Sequence, residues 1–283
     1  MIDRPGRRRF MQYAGMGAVA YAAKNGSRSC IADPLPSAAG ARRFELGIAS
    51  YTFREFPTEQ ALAMTKRLGL RRIAFKDFHL KLDATLAQIE ATVAKVKEAG
   101  LELYGGGVIY MESEAEVNRA FDYAKAAGMG TIIGVPNHDL LGLVDKKVRE
   151  FNIRVAIHNH GPGDEVYPTP QSVYERISTL DRRIGLCIDV GHTQRSGIDP
   201  SEAALKYGDR LIDIHMKDVS APSASGETVE VGRGVINVPK FLRTLQRVNF
   251  EGTVALEYEK DEKDPLPGSA ESIGYLRGVL ATM

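Results

Sequence analysis

The sequence contains little cysteine and no excess of charge of either sign. Only Cys30 and Cys187 occur among 283 residues, and we expect no disulfide between them. Lysine and arginine total 37 against 36 aspartates and glutamates. So balanced a composition does not indicate the basic surface that nucleic-acid binding requires, nor the run of acidic residues that is typical of a solvated tail. The hydrophobic fraction of 43% is ordinary for a globular protein with a sizeable core.

The chain also lacks an N-terminal hydrophobic run long enough to span a bilayer, since residues 13–23 are short and weakly apolar. This stretch follows the motif Arg7-Arg8-x-Phe10, and Ala39-Gly40-Ala41 has the small-x-small form of a cleavage site. The order is typical of a twin-arginine export signal, with a disordered basic arm as the alternative. We predict a signal and linker over residues 1–41, a periplasmic or otherwise exported protein without stable membrane insertion, and one domain over 42–283.

From residue 44 onward, short β-rich runs alternate with amphipathic helical patterns. Several helical patterns end in glycine (Gly69, Gly100 and Gly128), the residue that most often follows a helix. Eight strand–helix pairs in about 240 residues match the size and number of a (β/α)8 TIM barrel. The strand candidates are "FELGIASYTF", "RRIAFKDF", "LELYGGGVIY", "TIIGVP", "RVAIHNHG", "IGLCIDVGH", "LIDIHMKDV" and "GTVALEYE". A doubly wound open sheet is the alternative, but "IASYTFREF" lacks the G-x-G-x-x-G turn expected after its first strand.

Four consecutive strand candidates end in side chains that bind metals. The fifth to eighth runs place His158, Asp189, His215 and Glu257 at their carboxyl ends. These ends meet on the face of a TIM barrel that carries the chemistry. Isolated histidines or glutamates at such positions are usually hydrogen-bonded or solvated loop residues, but their concentration in one sector predicts a divalent-metal site.

Five further side chains stand near the same edge. His160 alternates with His158 in "VAIHNHG" and therefore shares its face, which favours a substrate contact. Lys217 lies one inward position beyond His215, and His192 follows the sixth run. Lys76 after the second run and Arg233 in "GRG" are candidates for binding substrate oxygens, although either fits a surface position equally well. Weaker candidates are Tyr110 and Glu112, and Cys187 is interpreted as core packing.

The motifs "IDVGH", "IHMKD", "GRGVINV" and "ALEYE" resemble the xylose isomerase-like TIM-barrel superfamily, in particular its sugar phosphate isomerase/epimerase family. That resemblance implies a divalent metal held by Glu, Asp, His and Glu from the fifth to eighth strands. Asp189, His215 and Glu257 match the last three ligands. His158 stands where the family has its first glutamate, which in the epimerases also serves as one of two acid/base groups.

Replacing that glutamate by an imidazole changes the expected chemistry. Two carboxylates leave a dication about neutral, so the metal is a stronger Lewis acid than in a three-carboxylate site. Two imidazole ligands also move preference from Mg²⁺ toward Mn²⁺, Co²⁺, Fe²⁺ or Zn²⁺.

The resemblance implies an isomerase or epimerase that removes a proton next to a sugar carbonyl, with Glu257, His160 and Lys217 as candidate bases. The missing glutamate raises the alternative of a lyase or hydratase acting on 3-keto sugars or glycosides. A non-catalytic sugar-binding barrel is a further alternative. The related endonuclease IV type needs more metal ligands than these strands supply, and near-neutral charge excludes a nucleic-acid partner. Export favours an unphosphorylated sugar or glycoside as the substrate, and a homo-oligomer is compatible with the sequence.

Overall fold

Eight parallel strands of this protein close into a barrel in the order β1-β10-β7-β6-β5-β4-β3-β2. The structure is a computed structural model, and it describes residues 43–283. The predicted export signal and Cys30 lie outside the described residues. The strands are β1 (Glu45–Ala49), β2 (Arg72–Phe75), β3 (Glu102–Met111), β4 (Thr131–Pro136), β5 (Arg154–His158), β6 (Ile184–Asp189), β7 (Leu211–Met216), the short antiparallel pair β8 (Asp218–Val219) and β9 (Thr228–Val229), and β10 (Thr253–Leu256).

Helices between the strands form the outer layer, as in a TIM barrel. Gly69, Gly100 and Gly128 follow helices with positive φ, which confirms their predicted role as helix terminators. Among the described residues, no helix is long and apolar enough to cross a membrane. The helices are α1 (Thr58–Arg67), α2 (Leu86–Glu98), α3 (Glu114–Ala126), α4 (Leu141–Phe151), α5 (Pro170–Ile177), α6 (Val190–Arg195), α7 (Pro200–Tyr207), α8 (Val238–Arg247) and α9 (Leu266–Ala281).

The closed barrel confirms the predicted (β/α)8 fold, and the doubly wound alternative is wrong. Inside the barrel a small apolar cluster fills the axis below the carboxyl-end face, and Cys187 belongs to it, fully buried. The members of this cluster are Ala74, Tyr104, Ile133, Ala156, Cys187, Ile212 and Ala255. The carboxyl-end face therefore has a packed floor beneath it, and groups that stand above this floor line a cleft rather than a pore.

The main local difference from the sequence prediction lies after β6. The predicted strand "IGLCIDVGH" runs to His192, whereas the strand ends at Asp189 and α6 begins at once. The cause is a helix cap, because Asp189 Oδ1 accepts a hydrogen bond of 2.7 Å from the backbone N–H of His192. One aspartate thus ends the strand, starts the helix and leaves its second oxygen for other partners.

Candidate active site

The side chains of His158, Asp189, His215 and Glu257 converge at the carboxyl end of the barrel, all buried. Strand register accounts for part of this, since Asp189 of β6 stands opposite His215 of β7. His158 Nε2 lies 3.1 Å from His215 Nδ1 and 3.4 Å from Asp189 Oδ2. His215 Nδ1 lies 3.0 Å from Glu257 Oε2. One ligand atom from each residue falls within 4.8 Å of every other.

This donor set fits a divalent metal ion. Atoms bound at about 2.0–2.1 Å to one tetrahedral ion lie roughly 3.3 Å apart, close to the spacings observed. Burial lowers the pKa of His158 to about 3, so its imidazole is neutral and keeps a lone pair. Asp189 Oδ2 is buried and, among the described residues, has an ion-pair partner, Lys217 Nζ at 3.0 Å, but accepts no well-aligned hydrogen bond. The four side chains can therefore hold a metal, and two nitrogens with two carboxylates suit Zn²⁺, Mn²⁺, Co²⁺ or Fe²⁺.

Asn159 orients Asp189 from behind. Its Oδ1 accepts a hydrogen bond from the Asp189 backbone N–H, and its amide donates to Thr193 Oγ1 at 3.2 Å. Thr193 in turn donates to the Asp189 carbonyl oxygen. With the helix cap described above, these bonds restrain the Asp189 backbone and one carboxylate oxygen, which leaves Oδ2 facing the cluster.

Lys217 is a buried ammonium surrounded by three carboxylates. Its Nζ donates to Glu257 Oε2 at 2.9 Å and Glu259 Oε1 at 2.8 Å, and lies 3.0 Å from Asp189 Oδ2. Burial alone would lower the pKa of Lys217, but the carboxylates of Asp189, Glu257 and Glu259 outweigh it and hold the pKa well above its usual value. Lys217 therefore contributes a fixed positive charge rather than a free base.

Burial also opposes ionisation of the two carboxyl donors, Asp189 and Glu257, and neighbouring basic side chains overcome it. His192 and Lys217 hold the pKa of Asp189 well below its usual value, and His215 and Lys217 do the same for Glu257. The pKa of His215 is raised against the effect of burial, mainly by Glu257. Both carboxyl groups are consequently ionised, as metal binding requires.

His160 stands at the mouth of the site rather than in the ligand cluster. Its ring stacks on Tyr110 of β3, with Nε2 3.0 Å from the Tyr110 hydroxyl, and Nδ1 lies 3.8 Å from Asp164 Oδ2. Burial and the nearby His192 lower the pKa of His160, so its imidazole is neutral near neutral pH. The ring centroid of His158 is 4.5 Å away, and that of His192 is 5.9 Å away.

The other two predicted substrate contacts lie further out. Lys76 donates to the Val108 carbonyl oxygen at 2.5 Å and lies 5.9 Å from the centre of the Tyr110 ring, so it lines the rim on the β2–β3 side. Arg233 is exposed and pairs with Glu271 of α9. Their substrate-binding roles stay predictions.

The "GRG" loop is held by an internal anion. Asp218 Oδ2 accepts hydrogen bonds from the backbone N–H groups of Gly232 and Gly234, and Oδ1 accepts from Val219 and Ile236. A Cβ on Gly234 would lie 2.2 Å from Asp218 Oδ1, so this close approach needs glycine. The backbone N–H groups of Gly232 and Gly234 therefore hold the loop after β7 through Asp218, and they are not free to bind a substrate anion.

Tyr110 and Glu259 make contacts in the site that the sequence pattern does not indicate. Tyr110 ranked low because a lone tyrosine on a strand carries no signal of its hydrogen-bond partner. Glu259 lies two residues beyond Glu257 in "ALEYE", and its position in the sequence does not by itself indicate a partner. Residues two apart on a strand lie on the same face, so Lys217 shares the face of His215 and Glu259 shares the face of Glu257. This shared spacing on neighbouring strands could have indicated the Lys217–Glu259 ion pair.

The fold and the cluster define a (β/α)8 barrel with a buried donor set for a divalent ion at its carboxyl-end face. The model of the family described as "Xylose isomerase-like TIM barrel" matches residues 58–279, and the chain belongs to this family.

Among curated proteins, the rhizopine catabolism protein MocC of Rhizobium meliloti is 24% identical over 145 residues, which are 46% of this chain and 44% of that protein. An inosose dehydratase of Lacticaseibacillus casei is 25% identical over 196 residues, 54% of this chain and 65% of the relative. The matches thus span less than two thirds of either relative. The crystal structure of 3-keto-D-glucoside 4-epimerase from E. coli shares the fold, with a TM-score of 0.67 and 15% identity over 83% of this chain and 99% of that one.

Replacing His158 by alanine should abolish tight metal binding without unfolding the barrel, because the change removes one of four convergent donors. Metal content after dialysis and titration calorimetry with Mn²⁺ measure the loss. His138→Ala is the matched control, since His138 bonds to the Val166 carbonyl oxygen outside the cluster. Retention of stoichiometric metal at wild-type affinity by His158→Ala would show that His158 is not a ligand.

Restoring the family residue with His158→Glu should keep a metal site but shift its preference toward Mg²⁺. A third carboxylate adds a hard donor and a negative charge, which favour hard ions over those that prefer imidazole. Competition titrations of Mg²⁺ against Mn²⁺ and Zn²⁺ on both proteins measure the shift. An unchanged selectivity series would mean that the residue at position 158 does not decide the metal.

Proposed function

We propose that this protein is a metal-dependent dehydratase that removes water from a keto-polyol ring, such as an inosose or a 3-keto sugar. One observation carries the choice: the groups on the two sides of the donor cluster are chemically unlike. Glu257 and Lys217 form an ion pair on the β7–β10 side. His160 and Tyr110 form an imidazole–phenol pair on the β3–β5 side. Epimerisation through two equivalent bases suits a pair of glutamates, whereas elimination needs one group that first accepts and then returns a proton.

In this proposal His158, Asp189, His215 and Glu257 hold the ion. A bound divalent ion supplies Lewis-acid polarisation of the substrate ketone, which acidifies the neighbouring C–H. Asn159 and the α6 cap restrain Asp189, so the donors stay in place during turnover. The packed floor that contains Cys187 confines a substrate to the open face of the site.

His160 moves the proton. Its neutral imidazole accepts the proton from the carbon next to the ketone, and the C–H electron pair becomes the double bond of an enolate. The bond between the next carbon and its hydroxyl oxygen then breaks, and the departing hydroxide receives the same proton from the imidazolium, directly or through the Tyr110 hydroxyl. The products are water and an unsaturated ketone, and His160 ends neutral, as it began. No oxidant or reductant takes part.

The relatives support this class of reaction without deciding it. The L. casei relative is an inosose dehydratase, and the E. coli protein of like fold is a 3-keto-D-glucoside 4-epimerase. The expected isomerase or epimerase reaction begins with the same removal of a proton. The imidazole of His158 in place of the family's first glutamate leads us to favour dehydration.

We also infer an unphosphorylated substrate. The three cationic side chains considered for the site are engaged with the protein itself: Lys217 with three carboxylates, Arg233 with Glu271, and Lys76 with the Val108 carbonyl oxygen. A phosphate group would need such cations or free backbone amides. The predicted export signal points the same way, because phosphorylated sugars are largely kept in the cytosol.

Incubation of the Mn²⁺-loaded protein with inososes and 3-keto glycosides in D₂O should yield a product lighter by one water, detected by mass spectrometry and NMR. A product of unchanged carbon skeleton, carrying deuterium and an inverted centre, would identify an epimerase instead. Stoichiometric metal with neither exchange nor product would identify a sugar-binding barrel without turnover. The His158→Ala protein is the control for reactions that free Mn²⁺ promotes.

Replacing His160 by glutamine should lower the rate of dehydration by about 10²-fold or more, the usual loss for a general base, with metal content unchanged. Glu257→Gln should lower metal affinity as well, because Glu257 belongs to the donor cluster. Tyr110→Phe keeps the ring that stacks on His160 and removes only the hydroxyl, so it isolates proton transfer through the phenol. A wild-type rate of dehydration by His160→Gln together with loss of dehydration in metal-saturated Glu257→Gln would assign the base to Glu257.

A further inference from the structure

We propose that Lys217 is a built-in counter-cation of the metal site, which offsets part of the negative charge of Asp189 and Glu257 before a dication binds and is retained by Glu259 afterwards. The inference rests on the metal site of the proposed function and goes beyond it, because it assigns Lys217 and Glu259 to control of metal affinity. Lys217 is in this view a positioning residue rather than a proton donor or acceptor.

The contacts of the ammonium carry the inference. Lys217 Nζ lies 3.0 Å from Asp189 Oδ2 and 2.9 Å from Glu257 Oε2. The same two oxygens face the imidazoles of the donor set, at 3.4 Å from His158 Nε2 and 3.0 Å from His215 Nδ1. The ammonium and a bound dication would therefore share oxygens, and tighter engagement of one weakens the hold on the other.

The charges of the cluster balance only when Lys217 is included. Asp189, Glu257 and Glu259 contribute three negative charges around an ammonium that is 2% exposed. When His158 and His215 are neutral, as metal coordination requires, Lys217 leaves two negative charges, the number that a dication neutralises. Without Lys217 and without a metal, the carboxylates would face one another with no cation among them, which is costly in a buried site.

Glu259 has the geometry of a partner that keeps the ammonium. Its Oε1 accepts from Lys217 at 2.8 Å, and its Oε2 accepts from Thr228 Oγ1 of β9 at 3.3 Å. Its side chain is 31% exposed, unlike the buried Asp189 and Glu257. Because Glu259 lies outside the donor cluster, Lys217 can remain bound to it when the other two carboxylates turn to a metal.

A glycine in helix α6 leaves room for the aliphatic part of the Lys217 side chain. A Cβ on Gly191 of α6 would lie 2.4 Å from Lys217 Cγ and 2.7 Å from Cδ. Such distances are too short for real contacts, so only glycine at position 191 leaves the space through which the stem passes. The space at Gly191 and the three carboxylates together fix the ammonium at this position.

The test is the affinity of the protein for Mn²⁺ alone, measured by calorimetry on variants with opposite expected signs. Lys217→Met removes the competing cation and keeps the stem, so Mn²⁺ should bind about tenfold or more tighter. Glu259→Gln removes the retaining partner, so Lys217 holds Asp189 and Glu257 more firmly and Mn²⁺ should bind several-fold more weakly. In Lys217→Met/Glu259→Gln, the effect of Glu259→Gln should disappear, because it acts through Lys217.

Lys240→Met is the matched control, since Lys240 also bridges two carboxylates, Asp199 and Glu202, but lies at the surface away from the site. Unchanged or weaker Mn²⁺ binding by Lys217→Met would overturn the inference. An effect of Glu259→Gln that persists in the double variant would reduce Glu259 to a distant charge and overturn its retaining role. Absence of Mn²⁺ binding by the wild-type protein would overturn both this inference and the proposed function, whereas binding without the Lys217 effect overturns the inference alone.

A second readout uses thermal unfolding with EDTA and with saturating Mn²⁺. The counter-cation role predicts that Lys217→Met lowers the melting temperature mainly in EDTA, where its carboxylates lack any cation, and that Mn²⁺ restores most of the loss. An equal drop in both conditions would mean that Lys217 merely packs the core. Should Lys217→Met fail to fold even with Mn²⁺, Lys217→Gln, which also removes the charge, takes its place in the single and the double variant.

Discussion

Compensation of buried negative charge is the constraint on which the carboxyl-end face of this barrel depends. Asp189 and Glu257 are ionised although they are buried, and an ionised carboxylate without partners costs several kcal/mol in such a position. The neighbours that meet this cost are the imidazoles, Lys217 and the first amides of α6. The same arrangement that stabilises the buried charges also directs the lone pairs of imidazole nitrogens and carboxylate oxygens toward one point. A metal site requires this convergence.

Alternation along the strands builds the site in two tiers. His158, His215 and Glu257 form the inner tier with Asp189, and the residue two positions beyond each of the three borders this cluster. His160, Lys217 and Glu259 are those outer residues, so each strand end supplies one group to the ligand cluster and one to its surroundings. The outer tier then differs between the two sides of the site, with an ammonium on one and an imidazole on the other.

The imidazole of His158 separates this chain from the glutamate pattern that its motifs resemble. With two carboxylates in the donor set, the charge of a bound dication would be balanced without a third negative ligand. In the proposed reaction the proton chemistry then falls to His160, on which the Tyr110 ring of β3 stacks. Both proposals follow from the positions of basic groups around the donor cluster. The proposed dehydration depends on the imidazole of His160 at the mouth of the site, and the proposed counter-cation role depends on the buried ammonium of Lys217.

The sequence by itself determined the barrel and the inner tier. Eight alternating segments leave few topologies, and parallel strands gather their carboxyl ends on one face, so His158, Asp189, His215 and Glu257 could be grouped from position alone. Only the tertiary structure decided the partners of Lys217, the pairing of Tyr110 with His160, and the start of α6 at Asp189. These depend on side-chain directions across strands that are far apart in sequence, and a period-2 pattern gives the face of a residue but not the atom that it touches.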